Sequence, residues 1–227
     1  MAYENSYQEE LLYSSTIREI LFVMELNVIV ALESSNLESL SSKIQLAGLS
    51  AIVTDDPQLV SQADRIILPG IGNYSRAMKH LRLNRMDQML TKKAMEQNTP
   101  ILGICLGMQL FFEESEEGPE RGLAWLKGKV QRFPRTQIVP HVGWQSLDFL
   151  ADSEFISESN REKQFYFSHS YYVNPSDESI IIAKATYGIA FPTILQKSNL
   201  LGLQFHPEKS HEYGFGIVKG FLRTPLC

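Results

Sequence analysis

The apolar positions of this chain change texture near residue 120. In the first half, short apolar runs alternate with segments of helical period. Leu26, Val28, Ile29 and Val30 predict a buried strand near 26–32. A helix follows with apolar positions Leu37, Leu40, Ile44, Leu46 and Ala47, ended by Gly48. "LSAIVT" (49–54) reads as a second strand and "RIILPG" (65–70) as a third. One long helical pattern runs from about 74 to 97. Pro100, Ile101 and Leu102 then form a short buried strand, and Met108, Gln109, Leu110, Phe111 and Phe112 read as the first turns of a further helix. Strands alternating with helices at this spacing need crossover connections, which predicts right-handed βαβ units and a mainly parallel sheet.

After the polar loop "SEEGPERG" (115–122) the runs become short and β-like: "KVQRF", "FISE", "QFYFSHSYYV", "SIIIAKATY" and "PTILQK", separated by Pro, Asn, Asp and Ser. They predict antiparallel extensions of the sheet. "LLGLQF" (200–205) returns to the buried-strand pattern, and a last helix spans about 210–223. There are no repeats and no low-complexity tract. The expected architecture is therefore α/β: three layers, with an open, mainly parallel sheet, flanking helices and antiparallel extensions. The expected domain is 24–227, with 1–23 as an N-terminal extension and Met24 as an alternative start.

Composition narrows the class. The chain has 227 residues, 44% hydrophobic and 21% charged, enough for one large α/β domain. A formal net charge of -5 argues against nucleic-acid and membrane-surface roles, both of which need a basic face. "ILFVMELNVIVAL" (20–32) is apolar, but Glu25 and Asn27 interrupt it and it is too short to span a bilayer. Glu4, Glu9, Glu10 and Glu19 stand where a signal peptide would be basic. Two cysteines, 105 and 227, cannot form a disulfide framework, which points to a reducing, cytoplasmic setting with the terminal Cys227 a spectator. No His or Cys pair has metal-ligand spacing, and no cofactor is expected.

The candidate chemistry begins at "GICLGMQ". Gly103 and Gly107 flank Cys105 at two residues on either side, the layout of a strand-to-helix nucleophile elbow. Amides at a helix N-terminus favour the attacking thiolate. A small buried hydrophobe is the competing reading of Cys105, and this stretch alone does not separate the two. Of five histidines, His80 accompanies Lys79 and Arg82 in a long helix and reads as solvated, while His211 opens the last helix. His206 differs: it directly follows a buried strand, Pro207 fixes its turn, and Glu208 lies two residues on. Strand ends of a parallel sheet gather at one edge, so His206 can meet Cys105 there, with Glu208 setting its tautomer. The alternative is a plain His-Pro turn; together with the elbow, the triad is favoured. "PGIG" (69–72) lacks the glycine fingerprint of a phosphate loop. It suits an amide donor facing an oxyanion together with the Leu106 N–H, or else a simple strand-ending turn.

"GICLGMQ" with a late "HPE" resembles the class I, triad-type glutamine amidotransferases. "LPGIG", "GICLGMQLFFEESEEG", "GLAWLKGKV", "VPHVGW", "YFSHSYYV" and "GLQFHPEKS" narrow the resemblance to the glutaminase subunits of imidazole glycerol phosphate synthase, from about residue 26 to the C-terminus. The resemblance implies hydrolysis of glutamine to glutamate and ammonia, without a cofactor. Cys105 would form a γ-glutamyl thioester, His206 would protonate the leaving ammonia and then activate water, and Glu208 would hold His206. By the same resemblance Gln109, His169, Ser170 and Tyr171 would bind glutamine. Gly70 and Gly72 would belong to the oxyanion loop completed by Leu106. The implied partner is a (β/α)8-barrel cyclase subunit in a heterodimer. It receives the ammonia for imidazole glycerol phosphate and AICAR formation in histidine biosynthesis. Trp144, Tyr166 and Lys209 fall at motif positions of that docking face, although Trp144 read alone suggests core.

One stretch departs from the family. A glycine-rich loop usually follows the first strand; here the sequence is Ala31, Leu32, Glu33, Ser34, Ser35, Asn36. Without its glycines the loop loses easy access to positive φ. This keeps two alternatives open: an ammonia donor for another acceptor, such as surface-polysaccharide sugar amidation, or a catalytically weak regulatory subunit.

Overall fold

The computed structural model of the chain describes residues 25–32, 37–156 and 163–224. The expected extension 1–23, most of the departing loop (33–36) and Cys227 lie outside the described residues.

The first half alternates as expected. Strands β1 (Asn27–Val30), β2 (Ile52–Thr54), β3 (Arg65–Gly70) and β4 (Ile101–Cys105) are interleaved with helices α1 (Leu37–Leu46), α2 (Pro57–Ser61), α3 (Tyr74–Leu83) and α4 (Met86–Thr91). A single turn, α5 (Leu106–Gln109), leaves β4 directly. The second half supplies β5 (Glu114–Ser115), β6 (Gly128–Arg132), β7 (His141–Ser146), β8 (Asp148–Phe149), β9 (Gln164–His169), β10 (Tyr171–Pro175), β11 (Ile181–Tyr187), β12 (Ile189–Lys197) and β13 (Leu200–Leu203), then α6 (His211–Arg223).

Eight strands form the central sheet in the order β2-β1-β3-β4-β13-β12-β11-β8. The β2 to β13 portion is parallel and the remainder antiparallel. Parallel strands buried on both faces read as continuous apolar runs, and β3 shows why. Ile66 and Leu68 join one core with Met78 and Leu81 of α3 and Leu90 of α4, while Ile67 faces the other with Leu40 and Ile44 of α1 and Val218 and Phe221 of α6. The three layers follow from that alternation.

Several expectations need correction. The segment 74–97 is not one helix. Asn84 ends α3, Arg85 sits at φ 55, and a π-turn over Lys92–Glu96 follows α4. Asn at a helix end and a left-handed residue after it are a C-terminal stop that apolar periodicity does not register. The helix expected over 108–112 is only the turn α5, because Leu110, Phe111 and Phe112 give their carbonyls to the amides of Leu123, Leu126 and Ala124. The β-like runs do not all extend the main sheet: β10-β6-β5 and β7-β9 form separate small sheets, and "QFYFSHSYYV" is split between them at Ser170. In "FISE", Phe155 and Ile156 lie in a turn rather than a strand, the remainder being outside the described residues. Finally, β2 starts at Ile52 rather than Leu49, and the apolar pattern does not mark α2, although Asp56 caps it through Gln58 N at 2.9 Å, with Pro57 in its first turn.

Candidate active site

Cys105 ends β4 with φ 53 and ψ -109, a conformation that a non-glycine residue holds only under constraint from its surroundings. The flanking glycines supply the constraint. A Cβ on Gly103 would lie 2.8 Å from Met108 N, and one on Gly107 would lie 1.7 Å from the Leu68 carbonyl oxygen. Only glycine lets α5 settle this closely onto β3 and β4. Gly70 stands in register with Cys105, and a Cβ there would meet Leu106 Cβ at 3.0 Å. With only four residues in α5, the helix dipole is small, so the electrostatics of the thiol rest on its side-chain neighbours.

The nearest of these arrives from the adjacent strand. Leu203 of β13 pairs with Ile104 of β4, so the residues just beyond, Gln204 to His206, emerge beside Cys105. His206 Nδ1 donates to Glu208 Oε1 at 3.0 Å, both side chains buried, which leaves Nε2 for the hydrogen bond with Cys105. Burial opposes the imidazolium. The charge of and hydrogen bond to Cys105, with the hydrogen bond and charge of Glu208, outweigh that penalty and push His206 up to about 10. Glu208 Oε2 is buried without a hydrogen-bond partner, so the carboxylate charge is directed at His206. Ser210 Oγ donates to His206 O at 2.7 Å and accepts from Tyr166 N at 3.0 Å, which locks this turn to β9.

Cys105 and His206 open into a cleft of about 300 Å³, walled by Ile71, Gly72, Leu106, Gln109, Glu117 and Ser170 among others. His169, Tyr171 and Lys209 also line it, whereas Gly70 does not: it borders a separate small cavity that His206 and Glu208 also line. Gln109 commits both amide hydrogens inward, to Tyr171 O at 3.0 Å and to Gln204 Oε1 at 3.1 Å. What it has left for the cleft is its carbonyl oxygen. His169 likewise has both ring nitrogens engaged: Nδ1 donates to Tyr171 O at 2.7 Å and Nε2 accepts from His141 Nδ1 at 3.2 Å. Burial pulls His169 down to about 3 and lowers His141 as well, so both rings are neutral.

Glu117 does not stand out in the sequence, where it reads as part of a polar loop. Its Oε2 accepts from Tyr74 N at 2.7 Å, and burial raises its carboxyl above the usual range against the pull of that hydrogen bond. Gln204, near the end of the apolar run "LLGLQF", and His141, the first residue of β7, escape a sequence reading too. Their only signal is that a polar side chain at a buried position needs a partner.

Trp144 pairs with Tyr166 across β7 and β9, at 5.7 Å between ring centroids, and stacks on His211 at 4.8 Å. At 38% exposure Trp144 is not core, and Val142, two residues before it on β7, is exposed as well. Lys209 Nζ lies 5.5 Å from the Tyr166 ring. His211 thus stacks at this face, and His80 is half-buried in α3, outside the cleft. Among the described residues no group of three or more His, Cys, Asp or Glu is placed to hold a metal ion, and no helix is long and apolar enough to cross a membrane.

This fold and this site define a class I glutamine amidotransferase, and the chain belongs to that family: the family model for glutamine amidotransferase class-I matches residues 28–221. Its curated relatives are more particular. The chain is 39% identical to imidazole glycerol phosphate synthase subunit HisH 1 of Methanococcus maripaludis, over 86% of this chain and 97% of that protein. The HisH subunit of Oceanobacillus iheyensis is 40% identical (83% and 94% covered), and that of Aquifex aeolicus 39% (86% and 95%). Among solved structures, a glutamine amidotransferase superposes with a TM-score of 0.67 at 19% identity, covering 86% of this chain and 99% of that one. PurLQS from Thermotoga maritima superposes with a TM-score of 0.69 at 17% identity, covering 88% and 98%. At these identities the structural matches speak for the fold alone.

Proposed function

We propose that the chain is the glutaminase subunit of imidazole glycerol phosphate synthase, which hydrolyses glutamine and passes the ammonia to a cyclase subunit in histidine biosynthesis. The observation that carries the chemistry is the junction of two neighbouring strands. Cys105 leaves β4 at positive φ, and His206, held by Glu208, leaves β13 beside it.

Cys105 Sγ attacks the γ-carboxamide carbon of glutamine. The oxygen that becomes negative is met by the Leu106 N–H and an amide of the Gly70 to Gly72 loop. Collapse breaks the C–N bond; His206 gives its proton to the departing nitrogen, and ammonia leaves a γ-glutamyl thioester. His206, now neutral, takes a proton from water as the water adds to the thioester carbon. Glutamate departs, and the thiolate–imidazolium pair is restored.

The substrate's other end suits the opposite wall. The Gln109 carbonyl oxygen and the Glu117 carboxylate offer acceptors for an α-ammonium group, and the Ser170 to Tyr171 backbone, fixed by His169, borders the same space. Trp144, Tyr166 and Lys209, with the exposed Val142 beside Trp144 on β7, form the face toward a (β/α)8-barrel cyclase in a heterodimer. Ammonia would cross that face, and the lyase reaction giving imidazole glycerol phosphate and AICAR belongs to the partner. The setting is cytoplasmic, and the functional domain is 24–227. The named relatives favour this reading over sugar amidation or a catalytically weak subunit. In the complex, Cys105→Ala should abolish glutamine-dependent synthesis and spare synthesis from added ammonia. Retained glutamine-dependent turnover would rule out the assigned nucleophile.

A further inference from the structure

Gln204 is wholly buried between Leu203 and Phe205, where an unpartnered amide would be costly. Its partners are specific, and their chemistry fixes which way it points. The Tyr171 carbonyl can only accept, so Gln109 must present its NH2 group there. The second hydrogen of that group meets Gln204, which must answer with Oε1. The Gln204 nitrogen is thereby left facing Cys105 Sγ, at 3.7 Å. Strand register delivers the contact: Leu203 pairs with Ile104, so Gln204 and Cys105 are the next neighbours across β13 and β4.

We propose that Gln204 is a catalytic residue of glutamine hydrolysis, donating its side-chain N–H to the Cys105 sulfur and tying the sulfur, through Gln109 and the Tyr171 carbonyl, to the glutamine-binding wall. The proposal rests on reading Cys105 as the nucleophile. His206 does not remain a donor to the sulfur throughout the cycle, because its proton leaves with ammonia and is replaced only from the hydrolytic water. While His206 is neutral the sulfur is bound in the thioester. It becomes an anion again as the second tetrahedral intermediate collapses. A neutral donor that never gives up its proton keeps the sulfur aimed while His206 changes state, and it shares the returning charge with the reprotonated imidazole. The titratable and charged groups around Cys105 (His206 and Glu208 after β13, His169 on β9, Glu117 after α5 and Lys209 at the cleft) are all retained when Gln204 alone is changed.

The test uses the full chain in a Cys227→Ser background, so that iodoacetamide alkylation reports on Cys105. In Gln204→Met, which keeps length and loses the donor, the pH profile of alkylation should move up by about one unit. Glutamate release with the cyclase partner should fall roughly tenfold or more in kcat. If Gln204 were merely a core filler, thermal stability would change while the alkylation profile stayed in place, and that result overturns the proposal. Should Gln204→Met not fold, nuclear magnetic resonance of the unaltered chain decides the same question. The Gln204 side-chain N–H signal should follow the alkylation midpoint as pH is varied, and an unresponsive signal overturns the proposal. Loss of activity in Cys105→Ala with an unmoved Gln204→Met profile removes this inference alone. Retained hydrolysis in Cys105→Ala removes the underlying reading of the site as well.

Discussion

Gly107 packs so closely on Leu68 that a Cβ would stand 1.7 Å from the Leu68 carbonyl oxygen. That contact seats α5 on β3 and so turns the chain sharply at Cys105. Gly107→Ala should therefore cost roughly 3 kcal/mol or more in stability, with loss of glutaminase activity. Gly216 in α6 has nothing within 4 Å of a built Cβ, and Gly216→Ala should be neutral or stabilising by about 0.5–1 kcal/mol. Thermal unfolding of the two variants side by side checks the contrast.

His206 is protonated well above neutrality because Cys105 and Glu208 outweigh its burial. Glu208→Gln keeps an acceptor for Nδ1 and removes the charge. We expect kcat to fall roughly a hundredfold, less than in Cys105→Ala. The sign on pH also follows. Without the carboxylate, His206 gives up its proton at lower pH, so the alkaline limb of kcat/KM should move down. An unmoved limb in the pH–rate profile would count against Glu208 acting through His206.

His169 has an ordinary value near 6.5, and burial pulls it to about 3 in the folded chain. The unfolded chain therefore binds the additional proton between these values. The stabilising contribution is whole above pH 6.5 and is lost as pH falls toward 3, at up to about 1.4 kcal/mol per pH unit. His141 is shifted the same way. His169→Gln should flatten the acid limb of stability, as measured by urea unfolding at a series of pH values. An unchanged slope would show that His169 does not drive it.

Trp144 stacks on His211 at an exposed face. Trp144→Ala should leave the isolated chain folded and weaken its binding to the cyclase subunit by about ten- to hundredfold, measured by calorimetry. Unaltered affinity would move the docking face elsewhere.

The parts of this molecule most legible in its sequence are those where backbone geometry demands one residue type. Gly103, Gly107 and the short interval from His206 to Glu208 are local constraints, and a strand-to-helix elbow can be read from them directly. The parallel half of the sheet is legible because strands buried on both faces are continuously apolar. Partner choice is not. "QFYFSHSYYV" divides at Ser170 between two small sheets, and nothing in an alternating pattern says which neighbour each half will join. Helix length is hidden for a similar reason, since carbonyls claimed by residues 123–126 stop a helix that the pattern at 108–112 would continue. Glu117, Gln204 and His141 are invisible in the pattern because their significance lies in distant partners: Tyr74, Cys105 and His169.

Glutamate release from glutamine by this chain, measured alone and with a cyclase subunit and its nucleotide ligand, decides whether the chain is the glutaminase of this synthase. Release by the free chain should be weak, rise strongly when partner and ligand are both present, and vanish in Cys105→Ala. Release that ignores the cyclase and its ligand would contradict the assignment to imidazole glycerol phosphate synthase. No release from a folded chain with Cys105 reduced would contradict the glutaminase reading itself.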